Sequence, residues 1–277
     1  MTRTAHCCLR GLIALLALAG AAQASALPRE AAVPGGLALA RLGNGAERPQ
    51  AWFQDRRVAV LRDRQGWVAL VGLPLALEPG EHALRVMAGG ADKDKTIRVA
   101  AKHYPTQRFS VPDHRKVEPP PEDMLRIERE QKRIDEIKAL FRDEPEPDLS
   151  FRPPAQGRLS GNFGLRRVIN GLERMPHAGI DFAVPVGTPV RAAADGVVVE
   201  TGDFFFNGNS VYLDHGQGLV TLYCHLDRVD VKPGEHVAAG QRIGLSGNTG
   251  RTSGPHLHWT VIANGTAVDP RLFLRKK

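Results

Sequence analysis

Apolar and polar positions alternate in short runs over most of the chain, the period-two pattern of half-buried β-strands. In the first half, Arg57-Val58-Ala59-Val60-Leu61 and Trp67-Val68-Ala69-Leu70-Val71 are such runs. Turn signals separate them, among them Gly43-Asn44-Gly45, Pro79-Gly80 and Gly89-Gly90. Short strands at this spacing over residues 36–110 predict a β-sandwich. The period changes after Pro119-Pro120-Pro121. Ile127, Ile134, Ile137 and Phe141 then fall on one side of a helix predicted over 122–141, with Glu128 and Lys132 as an i,i+4 pair on its polar side. One apolar seam predicts a helix laid against a domain; a coiled coil would need more heptads. Residues 143–157, with Pro145, Pro147, Pro153 and Pro154, read as a linker. Beyond Arg158 the pattern is β again, with strands expected near 196–201, 210–214, 219–225 and 257–262.

The start of the chain breaks this pattern and changes its setting. Arg3 and Arg10 precede an apolar run over 11–20, followed by Ala22-Gln23-Ala24 and Ala24-Ser25-Ala26. This is the form of a secretory signal, with cleavage expected after Ala26. A membrane anchor is the competing reading, but the run is shorter than the roughly 20 residues that span a bilayer. No later run could span one, so no membrane span is expected in the mature chain. Cys7 and Cys8 would leave with the signal. Cys224 is then alone, and an exported chain without an internal disulfide must hold together by packing.

Length and charge narrow the picture less. At 277 residues the chain can hold one large domain or two ordinary ones. Basic residues exceed acidic by 7, and two of the Arg belong to the signal. A moderate positive balance suits an anionic partner. No Lys/Arg stripe interleaved with aromatics appears, so nucleic acid is not expected.

Candidate chemistry concentrates between His177 and His258. His177-Ala178-Gly179-Ile180-Asp181 and His256-Leu257-His258 supply imidazoles and a carboxylate, ligands that suit zinc, and a catalytic zinc takes three protein ligands and keeps one position open. Alternation on a strand puts His256 and His258 on one face and Leu257 in the core. The Gly179 and Ile180-Asp181-Phe182 pattern favours entry into a strand over a helical turn. On strand 219–225, alternation groups Val220, Leu222 and Cys224 on a core face and Thr221, Tyr223 and His225 on a polar site face. A Cys-His nucleophile is therefore not expected, and Cys224 reads as buried and inert. His82, His103, His114, His215 and His236 receive no site role. The glycines of 247–254 lack the strand-loop-helix and Lys of a phosphate loop, and are expected to shape the turn before His256.

Together these pieces resemble the M23 peptidases, the lysostaphin/LytM-like zinc endopeptidases. The resemblance covers roughly 158–270. It rests on Asn162-Phe163-Gly164, His177-x-x-x-Asp181, Gly187-Thr188-Pro189-Val190, Ala194-Asp195-Gly196, Tyr223-x-His225-Leu226 and Gly247-x-x-Gly250-Arg251-x-Ser253-Gly254-Pro255-His256-Leu257-His258. It implies His177, Asp181 and His258 as ligands of one zinc per chain, and His225 and His256 as catalytic histidines. The segment 96–112, with Tyr104-Pro105 and Phe109, resembles the Ig-like module preceding some M23 domains. The fold implied is mainly β: an Ig-like sandwich over 33–113, a helical segment over 119–142, a linker over 143–157 and a duplicated-hybrid-motif-type catalytic domain over 158–272, after a signal peptide over 1–26.

The substrate the family implies is peptidoglycan. The piece Arg166-Arg167-x-Ile169-Asn170-Gly171 resembles the Gram-negative branch, hence the periplasm and D-Ala–diaminopimelate cross-links. The alternatives are a non-catalytic LytM-type activator of a cell-wall amidase and a wall-binding module with structural zinc. The first would lack part of the zinc set; the second would have a closed fourth ligand. The Pro-rich linker and amphipathic helix also suggest that the first domain could fold back over the groove. Partners in the division or elongation machinery are not named by the sequence.

Overall fold

The computed structural model describes residues 27–144 and 146–274. The signal-peptide reading and the terminal Arg275-Lys276-Lys277 lie outside the described residues. No helix among those described is long and apolar enough to cross a membrane.

The first half folds as two facing antiparallel sheets. Strands β1 (Leu37–Gly43), β2 (Gln50–Phe53), β3 (Arg56–Arg57), β4 (Ala59–Asp63), β5 (Gly66–Gly72), β6 (Gly80–Ala88) and β7 (Ala91–Val99) form it. One sheet has the order β1-β5-β4 and the other β3-β2-β6-β7. Ala38, Val60, Ala69 and Val71 of the first meet Phe53, Leu84, Ile97 and Val99 of the second in a shared core. Every residue of β5 is buried. Its near-continuous apolar run follows from covering on both faces, since Leu70 turns away from the sandwich into a second core.

β8 (Thr106–Phe109) does not belong to the sandwich. It pairs in parallel with β10 (Arg166–Ile169), which pairs with β11 (Leu172–Arg174). The Ig-like expectation over 33–113 therefore overran: pairing, which a local pattern does not specify, hands residues 106–109 to the second half. The helix, α1, spans Pro121–Lys138, shorter than 119–142. Pro121 starts it, as suits a residue whose missing N–H is not needed in the first turn. Its i,i+4 ion pair is Arg126–Glu130 rather than Glu128–Lys132. Ile137 is buried against Phe204, Tyr212, Leu222 and Ile262 of the second half.

Residues 143–157 are no free spacer. Leu149, Phe151 and Ala155 are buried in the main core, and Phe151 stacks on Phe273 with centroids 5.0 Å apart. Proline content signalled an extended path, but three apolar side chains decide that this path is packed.

The second half is built on a ten-stranded antiparallel sheet. Its strands are β9 (Arg158–Gly161), β12 (Ile180–Ala183), β13 (Pro189–Arg191), β14 (Gly196–Phe204), β15 (Gly208–Gly216), β16 (Leu219–Val229), β17 (His236–Val237), β18 (Arg242–Ser246), β19 (Leu257–Ala263) and β20 (Thr266–Val268). The main path runs β17-β14-β15-β16-β19-β12-β9, with β13, β18 and β20 attached beside it. One face of the central strands packs on the main core through Val211, Tyr223, Leu257, Trp259 and Val261. The opposite face carries the cluster under α1 and, further along, an open groove.

The two halves share one core. Leu37, Ala59, Leu61 and Leu70 pack in the same cluster as Phe163, Ile180, Trp259 and Ala263. The Asn264 side chain accepts from Gly72 N (2.6 Å) and donates to Gly72 O (3.1 Å), while Gln217 Oε1 accepts from Val60 N (2.9 Å).

Candidate metal centre and active site

Register places the first two groups. β12 and β19 run antiparallel with Asp181 directly opposite His258, so their side chains emerge together on the groove face. His177 precedes β12 in a loop held by two backbone bonds: its N–H donates to Leu165 O (2.9 Å) and its carbonyl accepts from Gly164 N (2.8 Å). Two glycines make room. A Cβ on Gly179 would lie 2.3 Å from Trp259 O and 2.8 Å from His258 Cε1; one on Gly161 would lie 2.1 Å from Asp181 Oδ2.

The result is a tight donor set. His177 Nε2 lies 3.0 Å from Asp181 Oδ1 and 2.9 Å from His258 Nδ1, which is 2.8 Å from Asp181 Oδ1. His177 Nδ1 is 2.8 Å from Asn162 O. A carbonyl can only accept, so Nδ1 carries the proton and Nε2 presents a lone pair. His258 anchors its far nitrogen, Nε2, on Thr260 Oγ1 at 2.9 Å. Burial pushes His258 down to about 4, partly opposed by Asp181, so the ring is neutral near pH 7. Burial acts to raise the Asp181 carboxyl, but its contacts with His177 and His258 outweigh burial and hold it below the ordinary value, so it is a carboxylate. Two ring nitrogens and a carboxylate oxygen, each within 3.0 Å of the other two, converge on one point. The donor set therefore fits a divalent metal with N/O preference. Among the described residues it is the one such group of ligand atoms.

His225 and His256 flank this centre. Their ring centroids are 4.7 Å apart; His225 lies 6.0 Å from the His258 ring, and His256 Nε2 is 3.8 Å from Asp181 Oδ1. Each anchors Nδ1 on a backbone carbonyl at 2.8 Å, His225 on Thr249 O and His256 on Gly254 O. Each thus leaves Nε2 free. Burial first, and then the neighbouring His256 and His258, hold His225 well below the ordinary histidine range.

The route that brings His225 here corrects the alternation argument. The groove face is the face of Leu222 and Cys224, because Cys224 pairs with His258 and Leu222 with Thr260. The Tyr223 face points into the main core, where Tyr223 Oη accepts from Ala193 N (2.8 Å). Strict alternation would bury His225 beside Tyr223. Instead the β15–β16 register shifts between Asn209 and Val211, and His225 takes a left-handed φ of +62°. This bulge re-aims its ring to the groove.

Cys224 is buried on the groove side of the sheet, and burial raises its thiol well above the ordinary range. It is a poor nucleophile, for burial rather than for facing away from the site. His215 is buried between Asp195 O (2.6 Å) and Thr221 Oγ1 (2.8 Å), a structural role. The 247–254 turn packs against 206–208: a Cβ on Gly250 would lie 2.4 Å from Gly208 N. Its Thr249 is pinned by Asn209 N (3.0 Å) and Leu226 O (2.9 Å) and so aims the carbonyl that holds His225. The anchors Asn162, Thr249, Gly254 and Thr260 carried no chemical signal of their own in the sequence, because three of them act through backbone carbonyls. Around the centre lies a cavity of about 900 Å³, lined among others by Tyr104, Arg167, Met175, Phe206 and Arg251.

On a β-rich scaffold, two imidazoles and a carboxylate thus converge on one point with two further imidazoles beside them, an arrangement that suits metal-assisted hydrolysis. The chain belongs to peptidase family M23: the family's model matches residues 175–270 and the model of its N-terminal domain matches 30–102. A crystal structure of an M23 peptidase from Pseudomonas aeruginosa is 39% identical, with a TM-score of 0.76 over 88% of this chain and 95% of that one. Peptidoglycan DD-endopeptidase ShyA of Vibrio cholerae is 50% identical over 113 residues, 40% of this chain and 26% of that protein. DD-carboxypeptidase/endopeptidase Mpg of Neisseria meningitidis is 43% identical over 123 residues, 44% of this chain and 28% of that one. The matched segment thus spans about a quarter of the length of these curated relatives.

Proposed function

We propose that this chain is an exported zinc endopeptidase that hydrolyses peptide cross-links of bacterial peptidoglycan, at D-Ala–diaminopimelate bonds in a Gram-negative periplasm. The observation that carries the reading is the convergence of His177 Nε2, Asp181 Oδ1 and His258 Nδ1 beside two carbonyl-anchored histidines. The name of the relative ShyA, a peptidoglycan DD-endopeptidase, supports the substrate, and that of Mpg, a DD-carboxypeptidase/endopeptidase, supports the type of bond.

His177, Asp181 and His258 would hold the zinc. Bound there, it would supply a water of lowered pKa and a Lewis acid for the scissile carbonyl. The remaining work falls to the chain. His225 and His256 present Nε2 to the groove; a neutral Nε2 accepts a proton from the attacking water, and the protonated ring donates to the developing oxyanion or the departing amine. Anchoring Nδ1–H on carbonyls fixes both ring planes before substrate arrives, which lowers the ordering cost of reaction.

Metal analysis with mass spectrometry of fragments released from purified wall tests the reading. The expected result is one zinc per chain and muropeptides cut at the D-Ala–diaminopimelate bond, with cutting abolished by chelator. A wall left intact by fully zinc-loaded protein that stimulates an amidase instead would replace it with the activator reading.

A further inference from the structure

We propose that Arg167 and Arg251, backed by Arg174, form a carboxylate-binding subsite beside the metal centre that selects substrates with a free carboxylate near the scissile bond. The proposal rests on the peptidase reading of the groove.

The β10–β11 hairpin places Arg167 directly opposite Arg174. Like charges in that position oppose strand pairing. The 247–254 turn adds a third guanidinium, Arg251, close enough to feel both. Burial, then the charges of Arg167 and Arg174, push Arg251 down to about 10, so it remains a cation at neutral pH. Compensation is scarce. Among the described residues the one carboxylate within ion-pair distance of any of the three is Asp181, with its Oδ2 3.7 Å from Arg167 Nη2. The other Asp181 oxygen is already engaged by His177 and His258.

Donors are also left over. The Nε atoms of Arg167 and Arg174 are buried without a hydrogen-bond partner. Arg174 spends its Nη groups on Val117 O (2.9 Å) and Glu173 O (3.0 Å), so it contributes charge more than contact. Arg251 lies over the Phe206 ring at 4.4 Å and Arg167 near the Phe109 ring at 5.7 Å. Stacking holds a guanidinium plane while leaving its edge donors free, the arrangement that suits bidentate capture of a carboxylate. Arg167 and Arg251 line the same cavity as His177, His225 and His258. A half-buried guanidinium cluster with one distant carboxylate among it is costly, and one that opens onto the reacting centre is best accounted for by an anion arriving with the substrate. A cross-linked peptide offers two: the terminal α-carboxylate and the side-chain carboxylate of a diamino diacid.

The test uses the full chain, zinc-loaded for cleavage and metal-free for binding, and three synthetic peptides containing a D-Ala–diaminopimelate bond. One has both carboxylates free, one is amidated at the side-chain carboxylate and one at the terminal carboxylate. Cleavage gives kcat/KM, and calorimetry on metal-free protein gives Kd without turnover. Amidating one of the two is expected to lower kcat/KM and raise Kd roughly 10- to 100-fold, as for a lost charge-assisted hydrogen bond. Which amidation does so identifies the group bound. R251Q should lose a similar factor on the free-acid peptide and cease to discriminate, and R251K should recover part of it. Arg251 is the residue to change because Arg167 touches Asp181. Equal Kd and kcat/KM for all three peptides with the unaltered protein, or undiminished discrimination in R251Q, would overturn the subsite. Discriminating Kd values with no cleavage of any peptide would sink the endopeptidase reading and leave the subsite standing.

Discussion

Gly179 has little freedom beside the proposed metal centre. Any Cβ there meets Trp259 O and the edge of the His258 ring, so Gly179→Ala must displace one of them. Metal affinity is expected to fall roughly 10- to 100-fold, the usual cost of disturbing the support of a ligand, measured by zinc retention against a competing chelator. On the proposed zinc reading, His177→Ala or His258→Ala should do more and cost at least about 10³-fold in wall digestion, since each would remove a ligand and with it the metal's chemistry. Cys224 gives a prediction of the opposite kind. Its buried, raised thiol should stay unlabelled by alkylating reagents in the native protein and react only on unfolding, and Cys224→Ala should keep its activity. Rapid native-state labelling would contradict the burial account.

Among the elements, β16 shows how a small irregularity sets function. The residues Tyr223-Cys224-His225 point to His225 in the sequence, yet the reason for its position is a bulge that period-two reasoning does not contain. A bulge depends on two strands falling out of step, which is a property of the pair. The strap at 143–157 teaches the same lesson from composition. Four prolines read as a spacer, whereas Phe151 is buried between Trp259 and Phe273. Phe151→Ala is expected to destabilise the chain by about 3–5 kcal/mol, the usual cost of deleting a buried Phe, read as a shift in the denaturant midpoint at constant slope. A change near zero would mean that the strap is dispensable. The helix was legible from its apolar seam, because a period of 3.6 is local; its i,i+4 ion pair was not, because Arg126 also answers to Asp203 on the sheet beneath.

As a whole molecule the chain carries two sheet systems on one shared core. The cluster joining Leu37 and Leu70 to Ile180 and Trp259, with Asn264 clasping Gly72, means that separating the halves would expose apolar surface of both. Thermal unfolding followed by fluorescence and by circular dichroism should therefore give one coincident transition. Zinc at about 1,000 times its Kd should raise the stability by about 4 kcal/mol through mass action, and chelator should remove that gain. Two separated transitions would contradict the shared core.

What the sequence determined by itself was the set of chemical groups and their local periods: the β-rich character, the helix, and the five residues His177, Asp181, His225, His256 and His258 as candidates. These are legible because side-chain chemistry and short-range alternation are properties of neighbours along the chain. Only the tertiary structure decided which face of β16 lines the groove, that 106–109 pairs with the second half, that apolar residues of the proline-rich strap are core, and that Arg167 and Arg251 share the groove with the proposed metal centre. Each of those depends on strand register and on packing between segments distant in sequence, and no local pattern encodes which surface a neighbour will cover.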